Sequence, residues 1–94
     1  MLTLASIQTC VATHFGLTRQ EMLDGGRYRR VARPRQASMT LCRALTDRSR
    51  EQIVRAHRLT NNTTAIYAER AVIARCESDP AFDRDMALLA RELS

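Results

Sequence analysis

Lysine and tryptophan are both missing from this 94-residue chain, and two Phe and two Tyr are its only Phe, Tyr or Trp rings. Without lysine no Gly-x-x-x-x-Gly-Lys-Ser/Thr loop can form, which excludes a P-loop for nucleotide phosphates. So few aromatics require an aliphatic core with Met and Cys as gap-fillers, and they offer little surface for stacking unpaired RNA bases. Cysteine is limited to Cys10, Cys42 and Cys76, an odd and widely spaced set without a Cys-x-x-Cys pair. Free thiols in a reducing cytoplasm are expected, rather than a zinc site or a disulfide framework. No apolar run approaches the roughly 20 residues of a membrane span, and no charged segment followed by a hydrophobic one opens the chain, so neither anchor nor signal peptide is expected. No Cys or His sits in a nucleophile-and-base pattern, and no two His or carboxylates are spaced for a metal. Catalysis, metal and cofactor are therefore not expected.

What the chain has in quantity is arginine, fifteen residues against ten acids. Placement matters more than the net +5. From Arg27 to Arg58 ten arginines face only Asp47 and Glu51, a local balance of +8, while the remainder stands at −3. Such clustering is the electrostatic footprint of a surface that follows phosphates. The length suits one domain, residues 1–94, hiding roughly 60 to 70% of the unfolded chain's surface.

Helical periodicity runs throughout, with no alternating stretch, so the chain reads as all-α. Thr3 caps a helix over about Leu4–Phe15, whose Leu4, Ile7, Val11 and Phe15 keep the spacing of a core stripe, and Gly16 suits a left-handed C-terminus. His14, in its last turn, complements the helix dipole. Thr18 and Glu21 form a capping box for a short helix with Met22 and Leu23 inward, ended by Asp24-Gly25-Gly26. The segment Arg27–Gln36 is the most basic in the chain. Its first part reads as a loop that the two glycines let swing free, a mobile arm able to enter a minor groove or straddle phosphates. Its second part opens a helix with Pro34 in the first turn, burying Ala37, Leu41, Ala44 and Leu45 before Thr46. The last helix takes Asp79 as cap and Pro80 as its first residue, carries Phe82, Met86, Leu89 and Leu93 inward, and places Asp83 and Asp85 where negative charge suits the dipole.

Between these lies the stretch that organises the chain, about 49–77: a short helix, a tight polar break and a longer helix, the outline of a helix-turn-helix. Ser49 and Gln52 make a capping box, Ile53 and Val54 point inward, and the first helix ends near His57. Thr60, Asn61 and Asn62 favour caps over helix interiors and open the second. Ala65, Ala68, Val72 and Cys76, joined by Ile66 and Ile73, form its buried stripe, leaving Asn62, Thr63, Tyr67, Arg70 and Ala74 outward near an end that attracts phosphate.

These residues resemble the C-terminal DNA-binding domain of the bacterial replication initiator DnaA over nearly the whole chain. The likeness is carried by Val31-Ala-Arg-Pro-Arg-Gln36, Ala44-Leu45-Thr46, Ile53, Arg55-Ala56, Thr63-Thr64 and Asp79-Pro80. It implies a compact six-helix, Trp repressor-like domain that binds double-stranded DNA. By position it assigns Arg27 to a minor groove, Arg29, Arg33, Arg35, Gln36 and Arg43 to the backbone-facing basic segment, and Thr63 and Thr64 to the start of the recognition helix. Arg30, Arg50, Arg58, Asn61, Asn62, Tyr67 and Arg70 complete the expected surface. Where the family has Gly-Gly-Arg-Asp-His, this chain has Arg58-Leu59-Thr60-Asn61-Asn62. Asn pairs with adenine rather than accepting from cytosine as Asp does, so a preference different from the initiator's usual box is expected. Losing both glycines disfavours the positive φ that such a turn uses.

With no P-loop in the chain, the expectation is a stand-alone DNA-binding domain, a small cytoplasmic, nucleoid-associated regulator of transcription or replication. The alternative is a helical adaptor for a protein partner such as the initiator itself.

Overall fold

Three capping boxes set the frame of the molecule. Thr3 and Ser6 open α1, Leu4–His14; Thr18 and Glu21 open α2, Arg19–Asp24; Ser49 and Gln52 open α4, Arg50–Ala56. In each, the cap hydroxyl accepts from the third backbone N–H while the third side chain accepts from the cap's own N–H, so two orphan donors are satisfied at once. Asp79 caps α6, Pro80–Leu93, by accepting from Ala81 and Phe82. The remaining helices are α3, Arg29–Leu45, and α5, Thr63–Ser78. The computed structural model describes residues 2–26 and 28–94. Arg27, and with it the expected minor-groove contact, lies outside the described residues.

The six helices of the described residues enclose one aliphatic core. Ile7 and Val11 from α1, Met22 from α2, Met39 and Cys42 from α3, Ile53 from α4 and Leu89 from α6 are fully buried, with Ala68 and Val72 of α5 closing over them. Each such side chain contributes roughly 1.5–3 kcal/mol for the larger aliphatics. The central element is α3, which packs chiefly against α5 and α1. Gly16 takes φ 76° at the end of α1, as a left-handed terminus requires.

Several expectations need correction. From Arg29 onward the basic segment is no mobile arm: α3 starts there, so Arg29–Gln36 are helical and Pro34 lies inside the helix instead of in its first turn. Proline there removes the N–H that would bond the Arg30 carbonyl, which falls on an exposed turn where water can replace it. Nor do the glycines act as a swivel. A Cβ on Gly25 would sit 2.6 Å from the Glu21 carbonyl oxygen and 2.7 Å from Val31, so Gly25 is there for the close approach of α2 to α3. Arg35 fastens the same joint, its Nε donating to the Met22 carbonyl at 3.0 Å and its Nη2 to the Gly26 carbonyl at 2.8 Å. Of the expected face of α3, Ala37 and Leu41 are buried, Leu45 is half-buried and Ala44 is exposed; Val31, Pro34, Ser38, Met39 and Cys42 complete the buried side. On α5 the stripe is narrower than its period suggested: Ala65, Ala68 and Val72 are buried and Cys76 half-buried, while Ile66 and Ile73 face outward.

Candidate nucleic-acid interface

The turn between α4 and α5 is held from below by buried polar groups. His57, the C-cap of α4, is fully buried: its Nδ1 lies 2.7 Å from the Ile53 carbonyl and its Nε2 2.8 Å from Ser38 Oγ on α3. A carbonyl can only accept, so Nδ1 carries the proton and Nε2 accepts from the serine hydroxyl. Burial pushes the His57 pKa down to about 4, and the nearby charges of Arg35 and Arg19 add to the depression. From α1, buried Gln8 donates its Nε2 to the Ala56 carbonyl at 2.9 Å and accepts from Arg19 Nε at 2.8 Å. The end of α4 is thus tied to α1, α2 and α3.

Beyond His57 the chain reverses through Arg58, the one described non-glycine residue with positive φ, at 60°. This is where the expected glycine pattern is absent, and an arginine occupies the left-handed conformation in its place. Arg58 Nη1 pairs with Asp24 of α2, anchoring the turn from the other side. The helix that follows is capped by Asn61: its Oδ1 accepts from the Thr63 backbone N–H at 3.0 Å and its carbonyl from Thr64 at 3.0 Å. Asn62 already has right-handed helical dihedrals, φ −59° and ψ −28°, and its side chain makes no capping bond.

Outward from this turn stand Asn61, Asn62, Thr63, Tyr67 and Arg70, all exposed, with Tyr67 at 68% and Thr64 half-buried beside them. The first two turns of α3 present Arg29, Arg30 and Arg33. Tyr28 caps that helix without a side-chain bond, so the leading N–H groups and the dipole add to the positive charge there. Among the described residues Arg29, Arg33, Arg43 and Arg70 form no ion pair, although Arg43 Nη1 donates to the Arg48 carbonyl.

Other expected contacts are otherwise engaged. Arg50 makes two bonds to Glu69, at 2.9 and 3.2 Å, bracing α4 against α5. Arg58 is held by Asp24, Arg30 lies 3.7 Å from Glu21 in an exposed and therefore weak pair, and Arg35 is turned inward. Gln36 is half-buried, with its Oε1 unpartnered among the described residues. One cation had not been anticipated: Arg75, whose guanidinium lies 5.0 Å from the centre of the Phe82 ring, in a groove that Arg29 and Arg33 also line. Burial, and then the charge of Arg33, lower its pKa. A positive charge in the last turn of a helix reads in sequence as a dipole complement and carries no sign of neighbours from α3.

The family model described as bacterial dnaA protein helix-turn-helix matches residues 4–72. The chain belongs to the DnaA helix-turn-helix family. Within that family it is 38% identical over 92 residues to the chromosomal replication initiator protein DnaA of Caulobacter vibrioides, covering 98% of this chain and 19% of the relative. It is 38% identical over 93 residues to DnaA of Sphingopyxis alaskensis, covering 99% and 20%, and 36% identical over 92 residues to DnaA of Gluconobacter oxydans. The chain spans about a fifth of the length of these relatives. No described helix is long and apolar enough to cross a membrane, and no three His, Cys, Asp or Glu side chains among the described residues are grouped to hold a metal.

Proposed function

We propose that this protein binds double-stranded DNA as a regulator of transcription or replication acting at the nucleoid, with the start of α5 in the major groove and the start of α3 on the phosphate backbone. The observation that carries this reading is the α4–turn–α5 unit. Its turn is held from inside by His57 and Gln8 and from the other side by the pair of Arg58 with Asp24, while the outer face of its first turns offers exposed polar groups, Asn61, Asn62, Thr63 and Tyr67, of the kind that read base edges. Arg29, Arg33, Arg43 and Arg70 supply the charge for phosphates, and Arg27 keeps its assignment to a minor groove on the family resemblance. Catalysis has no part in this reading.

Titration into a randomised duplex library at two salt concentrations, followed by sequencing of the retained DNA, tests it. An enriched motif whose affinity falls with salt is the expected result. Asn62→Ala should change which sequences are retained, and Arg33→Ala should lower the salt slope by about one without changing them. The second reading, an adaptor for a protein partner such as the replication initiator, draws support from Ile66 and Ile73, exposed along the same helix. Failure to retain any duplex at low salt would favour it.

A further inference from the structure

The first turn of α5 has a hydrogen-bond polarity that restricts what it can read. Asn61 Oδ1 accepts twice, from the Thr63 backbone N–H at 3.0 Å and from the Thr63 hydroxyl at 2.7 Å. A backbone N–H can only donate, so the atom it meets must be the amide oxygen, which fixes the orientation of the side chain. Both lone pairs of that oxygen are then taken. Asn61 is exposed, and what it has left to offer is its NH2 group alone. The Thr63 hydroxyl has given its proton to Asn61, so its remaining capacity is to accept.

We propose that Asn61 is a specificity-determining donor, selecting a base edge with an outward acceptor, thymine O4, guanine O6 and N7 or adenine N7, and rejecting cytosine, whose 4-amino group would face it donor to donor with no acceptor beside it. Thr63 is complementary and accepts from the amino group of an adjacent adenine or cytosine. This assignment rests on the DNA-binding reading above and divides the roles of the two asparagines. Asn62, with no side-chain hydrogen bond among the described residues, keeps both its amide oxygen and its NH2 for bidentate pairing with adenine. For Asn61 to pair in that way it would have to release Thr63 and uncap the helix.

Asn61→Asp is the decisive variant. Aspartate is as good an N-cap as asparagine, so one oxygen stays on Thr63 while the outward NH2 becomes an acceptor. The parent and N61D are each used to select from a randomised duplex library at one salt concentration. Duplexes differing only at the affected pair are then compared for binding. The added negative charge weakens binding to every duplex alike, so the readout is the ratio between duplexes and not the absolute affinity. The parent should disfavour cytosine at one position of its motif and N61D should prefer it there, with the thymine-to-cytosine ratio of affinities shifting about tenfold. Thr63→Val, which keeps the shape and removes the acceptor, should relax the neighbouring position. A parent motif that N61D leaves unchanged at every position overturns the assignment while leaving the DNA reading intact. A parent that enriches no motif overturns both.

Discussion

His57 makes the stability of this protein sensitive to mild acid. Fully buried and neutral, it is shut off from the bulk solvent that would stabilise an imidazolium, and its Nε2 must stay unprotonated to accept from Ser38. In the unfolded chain its pKa is that of a free histidine, 6.5, whereas in the fold it is about 4. The depressed value means that the unfolded state takes up a proton first. Stability is therefore intact above about pH 7, falls as pH drops through the interval from 6.5 to 4, and levels off below. Integrating between pH 7.5 and pH 5 gives a loss of about 2 kcal/mol, and the full shift corresponds to about 3 kcal/mol. Urea unfolding followed by circular dichroism at the two pH values measures it directly. His57→Gln cannot titrate, so that variant, though less stable at pH 7.5, should lose about 2 kcal/mol less than the parent on going to pH 5. Every other group is common to both proteins and cancels in the difference. A parent equally stable at both pH values, or a variant with the parent's pH dependence, would refute the buried neutral imidazole.

Other perturbations separate structural from interfacial arginines and test the two tight turns. Arg35→Ala frees the Met22 and Gly26 carbonyls and should destabilise the fold by about 1–3 kcal/mol in thermal unfolding, whereas Arg33→Ala, at an exposed position, should leave the melting temperature within a degree or two. Gly25→Ala places a methyl against the Glu21 carbonyl and Val31 and should cost about 1–3 kcal/mol, read from the urea midpoint. Arg58→Gly relieves a left-handed arginine, so it should raise stability by up to about 1 kcal/mol even though the exposed pair with Asp24 is lost.

Local chemistry was the part of this fold that the sequence carried openly. Thr18-x-x-Glu21, Ser49-x-x-Gln52 and Asp79-Pro80 each mark a helix start, because a cap is made by residues within one turn of each other. The same locality misled at Pro34. A proline suits a first turn, but here the start of the helix is set earlier by Gly25 packing on Val31 and Arg35 reaching Gly26, contacts that no pattern around the proline reveals. Periodicity located α5 but could not decide between adjacent stripes. Ile66 and Ile73 share the period of Ala65 and Val72 and end up outside, since the small side chains let α5 settle closely on α3. At the candidate interface, the outward set of Asn62, Thr63, Tyr67 and Arg70 followed from helix geometry. Which arginines are spare did not, because Arg50 meets Glu69 nineteen residues on and Arg58 meets Asp24 thirty-four residues back.

The bond from Gln8 to the Ala56 carbonyl spans forty-eight residues and bears on how portable the recognition unit is. A segment cut at Ser49 and Ser78 would keep both of its helices and lose the groups that fix the angle between them: Gln8 on the Ala56 carbonyl, Ser38 on His57 and Asp24 on Arg58. Transplanted onto another scaffold, it would be a hinge in place of a bracket. Changes in α1 that never approach a partner could therefore alter recognition by letting that angle drift, and a designer borrowing this reading head would have to bring the distant glutamine, serine and aspartate with it.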